Sequence, residues 1–212
     1  MFERKQKTQE LLTQIIKVEE KYEDKIASQV VAAIRKSLNS EKDKIDEIWN
    51  KAEEKIIDLI YKMLEEIYAL IIKFIKECYP EADTSKKLDI KSLTWQEDGK
   101  TIEQRVKIYC DYASEVLKVN TDEAALRDSL IHNFIRIIET EDITIFNQIL
   151  VRRVAKKYPY AEISNGSCEC CDGTGGIKLV TDISKWPPFH PFCACVVILY
   201  TQEEYEKLKL RE

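Results

Sequence analysis

From Thr8 to Leu38, apolar side chains recur at steps of three and four: Leu11, Ile15, Val18, Tyr22, Ile26, Val30, Ile34 and Leu38. That spacing puts them on one face of an amphipathic helix. Asn39 and Ser40 interrupt the stripe, and Ser40 with Asp43 three residues later predicts an N-cap for the next helix. A second stripe follows in Ile45, Ile48, Ala52, Ile56, Leu59, Met63, Ile67, Leu70, Phe74 and Cys78, and it stops at Tyr79-Pro80. Neither stretch contains Gly or Pro. The pattern predicts two long helices in an antiparallel hairpin, each roughly 45–55 Å at about 1.5 Å per residue.

Residues 81–100 are polar, with two short apolar patches and an Asp98-Gly99 turn, and read as a linker. A third helix is expected from Thr101 to about Val119. Thr121-Asp122-Glu123 opens a fourth, carried by Leu126, Leu130, Phe134, Ile137, Ile138, Ile145, Ile149 and Val154 as far as Tyr158-Pro159. Beyond Pro159 the period changes. Tyr160–Ile163, Ile177–Val180 and Val196–Tyr200 are short, β-branched and bounded by turn residues, so they read as strands. Thr201 to Leu210 suits a short closing helix. The expected fold is mainly α with a small C-terminal α+β module. Its segments are a hairpin at 1–80, a linker at 81–100, a helical part at 101–159 and a Cys-rich β module at 160–212.

Composition narrows the function classes. The chain has 212 residues, 44% hydrophobic and 33% charged, which suits a helix-rich globular protein rather than a disordered one. A net charge of −5 gives no general support to nucleic-acid binding. The densest basic run, Arg152, Arg153, Lys156 and Lys157, reads as the solvated face and last turn of a helix, where cations suit the dipole. The most apolar stretch, Ile56 to Cys78, is interrupted by Lys62, Glu65, Glu66, Lys73 and Lys76, so no membrane span is expected. Met-Phe-Glu-Arg-Lys-Gln-Lys lacks the apolar core of a signal peptide. A reducing compartment and a cytoplasmic origin are therefore expected.

Candidate chemistry concentrates near the end. Five of the 7 cysteines, one of the 2 histidines and four of the 5 glycines fall between Gly166 and Cys195. Cys168-Glu-Cys170-Cys171 followed by His190-Pro-Phe-Cys193-Ala-Cys195 offers soft ligands at the spacing of a tetrahedral zinc site. A forty-residue segment with few large apolar groups needs such a staple, or a surface to dock on. Gly173, Gly175 and Gly176 allow tight turns, and Pro187, Pro188 and Pro191 stiffen the return. In extended chain Cys193 and Cys195 point to one side. The candidate ligands are Cys168, Cys171, His190, Cys193 and Cys195, five for four places, with His190 open to a supporting role and Cys170 to packing. Thiols packed around a Pro-rich loop, and disulfides, are the alternatives.

Catalytic readings are weaker. One His among vicinal thiols resembles a ligand set more than a nucleophile–base dyad. A thioredoxin-like CxxC would open a helix, whereas here glycines follow. A His-metal nuclease needs more than His132 and His190. His132 reads as a surface or boundary residue, Cys78 and Cys110 as small core residues, and Trp49 as core or partner contact. Glu139 and Glu141 read as solvated or paired charges. No enzymatic activity is expected.

One set of residues has a family resemblance. Trp95-Gln-Glu-Asp98-Gly99-Lys100-Thr101, Arg105-Val106, Arg136-Ile-Ile-Glu139-Thr140-Glu141, Asn147, the CxxC with Asp172-Gly173, and Pro187-Pro188-Phe-His190-Pro191-Phe-Cys193-Ala-Cys195 together resemble the phage Mu F-like minor capsid, or head morphogenesis, family. The likeness spans about Trp95 to Tyr200. It departs from the family pattern at Ala194, where Arg is usual, and at Asp172, which follows Cys171 directly. It implies a virion component present in few copies, associated with the portal protein and other head proteins, acting in head assembly or DNA delivery. Self-association through the hairpin and contact with DNA are further partner expectations. The competing expectation is a zinc-ribbon nucleic-acid-binding or nuclease protein.

Overall fold

The structure, a computed structural model, describes residues 2–85, 87–92, 99–119, 123–164, 176–183, 186–189, 193 and 195–210. It is mainly helical, with one three-stranded antiparallel sheet near the C-terminus. Helix α1 spans Phe2–Leu38 and α2 spans Ile45–Cys78. Helix α3 spans Ile102–Val119 and α4 spans Glu123–Val154. Strands β1 (Tyr160–Ser164), β2 (Ile177–Leu179) and β3 (Val196–Tyr200) follow, and α5 (Gln202–Lys209) closes the order. No helix among the described residues is long and apolar enough to cross a membrane.

The turn between α1 and α2 differs from the expected cap. Ser40 does not open α2. Its hydroxyl donates to the Lys36 carbonyl at 2.7 Å, and the Asn39 amide donates to the Arg35 carbonyl at 2.8 Å. Both side chains satisfy carbonyls that the end of α1 leaves without helical partners. A 3-10 turn at Lys42–Lys44 then leads into α2, with Glu41 before it making no side-chain cap. Two other helices start as their sequences suggest. Thr101 and Gln104 exchange reciprocal bonds at the head of α3, and Thr201 and Glu204 do so at α5, each a capping box. Gly99 adopts a left-handed φ of 65°, as the expected turn ahead of α3 requires.

The buried lines on α1 and α2 are periodic but shifted in places. On α1 they pass through Thr8, Leu11, Ile15, Glu19, Tyr22, Ile26, Val30, Ile34 and Ser37, while Val18 is half-buried and Leu38 exposed. On α2, Ile60 and Ile71 are buried where Leu59 and Leu70 were expected. Helix α4 changes character along its length. From Glu141 to Asn147 every residue is buried, polar ones included. A helix enclosed on all sides turns no face to solvent in that stretch.

The chain divides into two compact units. One comprises Met1–Ile16, Glu66–Leu88 and Glu139–Glu212, and the other Lys17–Glu65 and Asp89–Ile138. In the second, Ser114 donates to Asp46 at 2.5 Å, Lys118 pairs with Asp46 at 2.7 Å, and Tyr61 donates to Glu103. Tyr109 packs edge-on to Phe134 and accepts a hydrogen bond from Arg136. The first unit holds the sheet together with the start of α1, the end of α2 and the later half of α4. Arg4 lies over the ring of Tyr79, so the start of α1 meets the end of α2, as an antiparallel pair requires.

Candidate functional site

The sheet order is β2-β1-β3, which makes β3 an edge strand by topology. Its burial is that of a central strand, since all five residues from Val196 to Tyr200 are buried. An edge strand that loses water must find partners for the N–H and C=O groups on its outer side. Here they come from side chains. Asn147, on α4 and 1% exposed, accepts from Val197 N–H at 2.9 Å and donates to the Cys195 carbonyl at 3.1 Å. The same Nδ2 reaches the Pro187 carbonyl at 3.4 Å, a longer contact. Farther along, Tyr79 accepts from Leu199 N–H at 3.2 Å and Arg4 donates to the Leu199 carbonyl at 2.8 Å. Side chains from α1, from α4 and from the residue that follows α2 thus complete the sheet where a fourth strand would otherwise stand.

Arg4 is the most heavily engaged of these residues. Its guanidinium also meets Glu204 of α5, with contacts of 3.0 and 3.1 Å, and lies 4.6, 5.4 and 5.9 Å from the ring centres of Tyr79, Tyr158 and Tyr200. Arginine suits such a place because its flat cation stacks on aromatic faces while its N–H groups fork toward acceptors. Burial opposes its charge, but the bond to Glu204 and attraction from its surroundings outweigh that, so its pKa is raised. Burial likewise pushes Glu204 up, yet the bonds from Arg4 and from Thr201 N–H leave it below its ordinary value. Burial raises Tyr79, and it raises Tyr200, which also donates to Glu162 at 2.6 Å. Lys5 pairs with Glu162 at 2.8 Å, so the first turn of α1 holds both β1 and α5.

Cys193 and Cys195 lie beside this junction. Both are buried thiols, sharing one cluster with Ile163, and Ile183 and Phe189 pack against it. Two cysteines in one cluster supply the soft donors that zinc takes, so the two described members of the expected five fit a metal. Cys168, Cys171 and His190, with Cys170, lie outside the described residues. Among the described residues no group of three or more His, Cys, Asp or Glu is arranged to hold a metal ion. The described part of the expected zinc knuckle is therefore a thiol pair in an apolar cluster. Were zinc bound there, it would cross-link the segments that carry its ligands.

The remaining sequence candidates fall as follows. His132 is exposed, while Cys78, Cys110 and Trp49 are buried. Burial pushes the Cys110 thiol up to about 12, which makes it inert rather than nucleophilic. Glu139 is half-buried, but Glu141 is fully buried, so the solvated reading fails for Glu141. In the basic run Arg152, Lys156 and Lys157 are exposed, whereas Arg153 donates to the Asp83 carbonyl and to Tyr68. Arg105, Val106, Thr140 and Asn147, all part of the resemblance, are buried. Trp95 to Asp98, Asp172, Gly173 and Pro191 lie outside the described residues. Arg4 and Tyr79 hold the junction with little in the sequence to mark them. The one signal for Tyr79 was an aromatic at a helix end before Pro80, and Arg4 had none.

What the geometry defines is a buried structural junction in which polar side chains finish a small sheet. No family model, no curated protein and no solved structure matches the chain.

Proposed function

We propose that the chain is a structural phage head protein, a minor capsid or head morphogenesis component. It associates with the portal and acts in head assembly or DNA delivery. The observation that carries this reading is the meeting of motif residues far apart in sequence. Asn147, Pro187 and Cys195, all among the residues that resemble the Mu F-like family, join through one carboxamide. A motif whose members bond to one another acts as one structural unit, and the sequence resemblance then bears on class though not on chemistry. The long charged helices with apolar lines suit assembly against other helical proteins. In this reading the thiol pair belongs to a structural zinc site completed from Cys168, Cys171 and His190, and the protein resides in the virion.

The test is co-expression of the tagged chain with the products of its neighbouring genes. Recovery of a portal protein in fixed proportion supports the reading. Failure to recover one, together with salt-dependent DNA binding at micromolar affinity, would overturn it in favour of the nucleic-acid-binding class. Elemental analysis of protein purified without chelator should find about one zinc per chain, as four ligands for one tetrahedral ion imply. Metal-free, fully folded protein would remove the zinc from the account.

A further inference from the structure

We infer that Asn147 is the positioning residue of the Cys193–Cys195 thiol pair. The β1–β3 ladder begins at the Ser164–Val196 pair, so its register stops one residue short of Cys195. Just there the Asn147 carboxamide takes over. Its Oδ1 accepts from Val197 N–H and its Nδ2 donates to the Cys195 carbonyl, the two bonds a neighbouring strand would supply. These partners fix which end of the amide is oxygen and which is nitrogen. The second N–H of the same nitrogen faces the Pro187 carbonyl, so one atom ties together the chain before Cys193 and the chain at Cys195.

The role requires an amide at this length. An ionised Asp accepts but cannot donate, Leu does neither, and Gln is a methylene longer. Buried at 1% exposure, the carboxamide has no water to replace a lost partner, so the carbonyls it serves would pull away toward solvent. Movement at Cys195 shifts both thiols out of the cluster they share with Ile163. Groups that orient metal ligands from behind typically change affinity by about 10- to 100-fold. For its metal arm the inference rests on the zinc reading of the proposed function; for its thiol arm it does not.

The experiment uses the full chain, with Asn147→Asp as the main variant and Tyr79→Phe as the control. Tyr79→Phe removes a different outer-edge bond of the same strand, the one to Leu199 N–H, and so loosens β3 without touching the amide. After treatment with chelator, the folded proteins are labelled with iodoacetamide and each cysteine is followed by peptide mass spectrometry, Cys110 serving as the buried reference. Zinc affinity is measured separately by competition with a chromophoric chelator.

At a pH high enough to ionise the introduced carboxyl, Asn147→Asp should raise labelling of Cys193 and Cys195 by about tenfold or more and weaken zinc binding by about 10- to 100-fold. Tyr79→Phe should leave both within about twofold of the wild type, because its bond lies four residues past Cys195. As pH falls and the buried carboxyl introduced by Asn147→Asp gains a proton, it can again donate to the Cys195 carbonyl. The ratio of variant to wild-type labelling should then drop toward one. If Asn147→Asp does not fold, Asn147→Ser, uncharged and too short to span both partners, should show the same exposure without the pH dependence.

Wild-type labelling rates in these Asn147 variants, or equal rises in Tyr79→Phe, would overturn the inference. If the wild type binds no zinc while labelling follows the stated pattern, the positioning role stands and the zinc reading falls.

Discussion

Arg4 shows how much one side chain can hold. Its side chain is 12% exposed and that of Glu204 is 29%, so the pair is shielded without being sealed from water. Arg4→Ala would strand the Leu199 carbonyl and the Glu204 carboxylate and strip a cation from three tyrosine rings. A loss of about 2–3 kcal/mol in urea unfolding is expected, below the figure for a fully buried pair. Arg4→Lys should recover only part of it, since an ammonium cannot fork between two acceptors. Acid should act through the same contact. Glu204 has a lowered folded pKa, so its contribution is present above the ordinary Glu value and is lost as pH falls through the folded one. Glu204→Gln should therefore flatten the decline in urea midpoint between about pH 5 and 3. At the other extreme Tyr61, Tyr79 and Tyr200 have raised pKa values, so their contribution is intact below about pH 10 and disappears above it, as the unfolded chain ionises first. None of this was legible in Met-Phe-Glu-Arg-Lys-Gln-Lys. A charged residue in a charged run looks solvated, and Arg4 meets partners 195 and 200 positions away.

Elements were far easier to read than residues, because periodicity is local. The α3 and α4 stretches, all three strands and the closing helix lie where their patterns place them, within a residue or a few at each end. The misses on α1 and α2 have one cause. Reading the stripe by hydrophobicity selects Val18, Leu38, Leu59 and Leu70, whereas the helical phase buries their neighbours Glu19, Ser37, Ile60 and Ile71. Where two adjacent residues compete, geometry decides, even in favour of a polar one. What completes the outer edge of β3 could not be read from sequence, because the partners are side chains of α1, of α4 and of the residue after α2, far along the chain. Thr201→Ala removes one half of the α5 capping box and should cost about 1 kcal/mol. Glu204→Ala breaks the other half and the Arg4 pair together, so it should cost clearly more than Thr201→Ala in the same urea series.

At the scale of the whole molecule, the two compact units are drawn along different lines from the four segments of the sequence. The β segment shares its unit with the first sixteen residues, and Arg4 and Lys5 bind it directly. Docking on helices therefore contributes to holding this small sheet. Asn147 ties α4 to the chain at Pro187 and at Cys195 within that unit. We propose that the protein is a component of the phage head, and quantitative mass spectrometry of purified particles is the decisive experiment. Peptides of this chain are expected in the mature virion, in a small fixed number of copies relative to the major capsid protein. Virions free of the chain, with the protein recovered only from the soluble lysate, would contradict it.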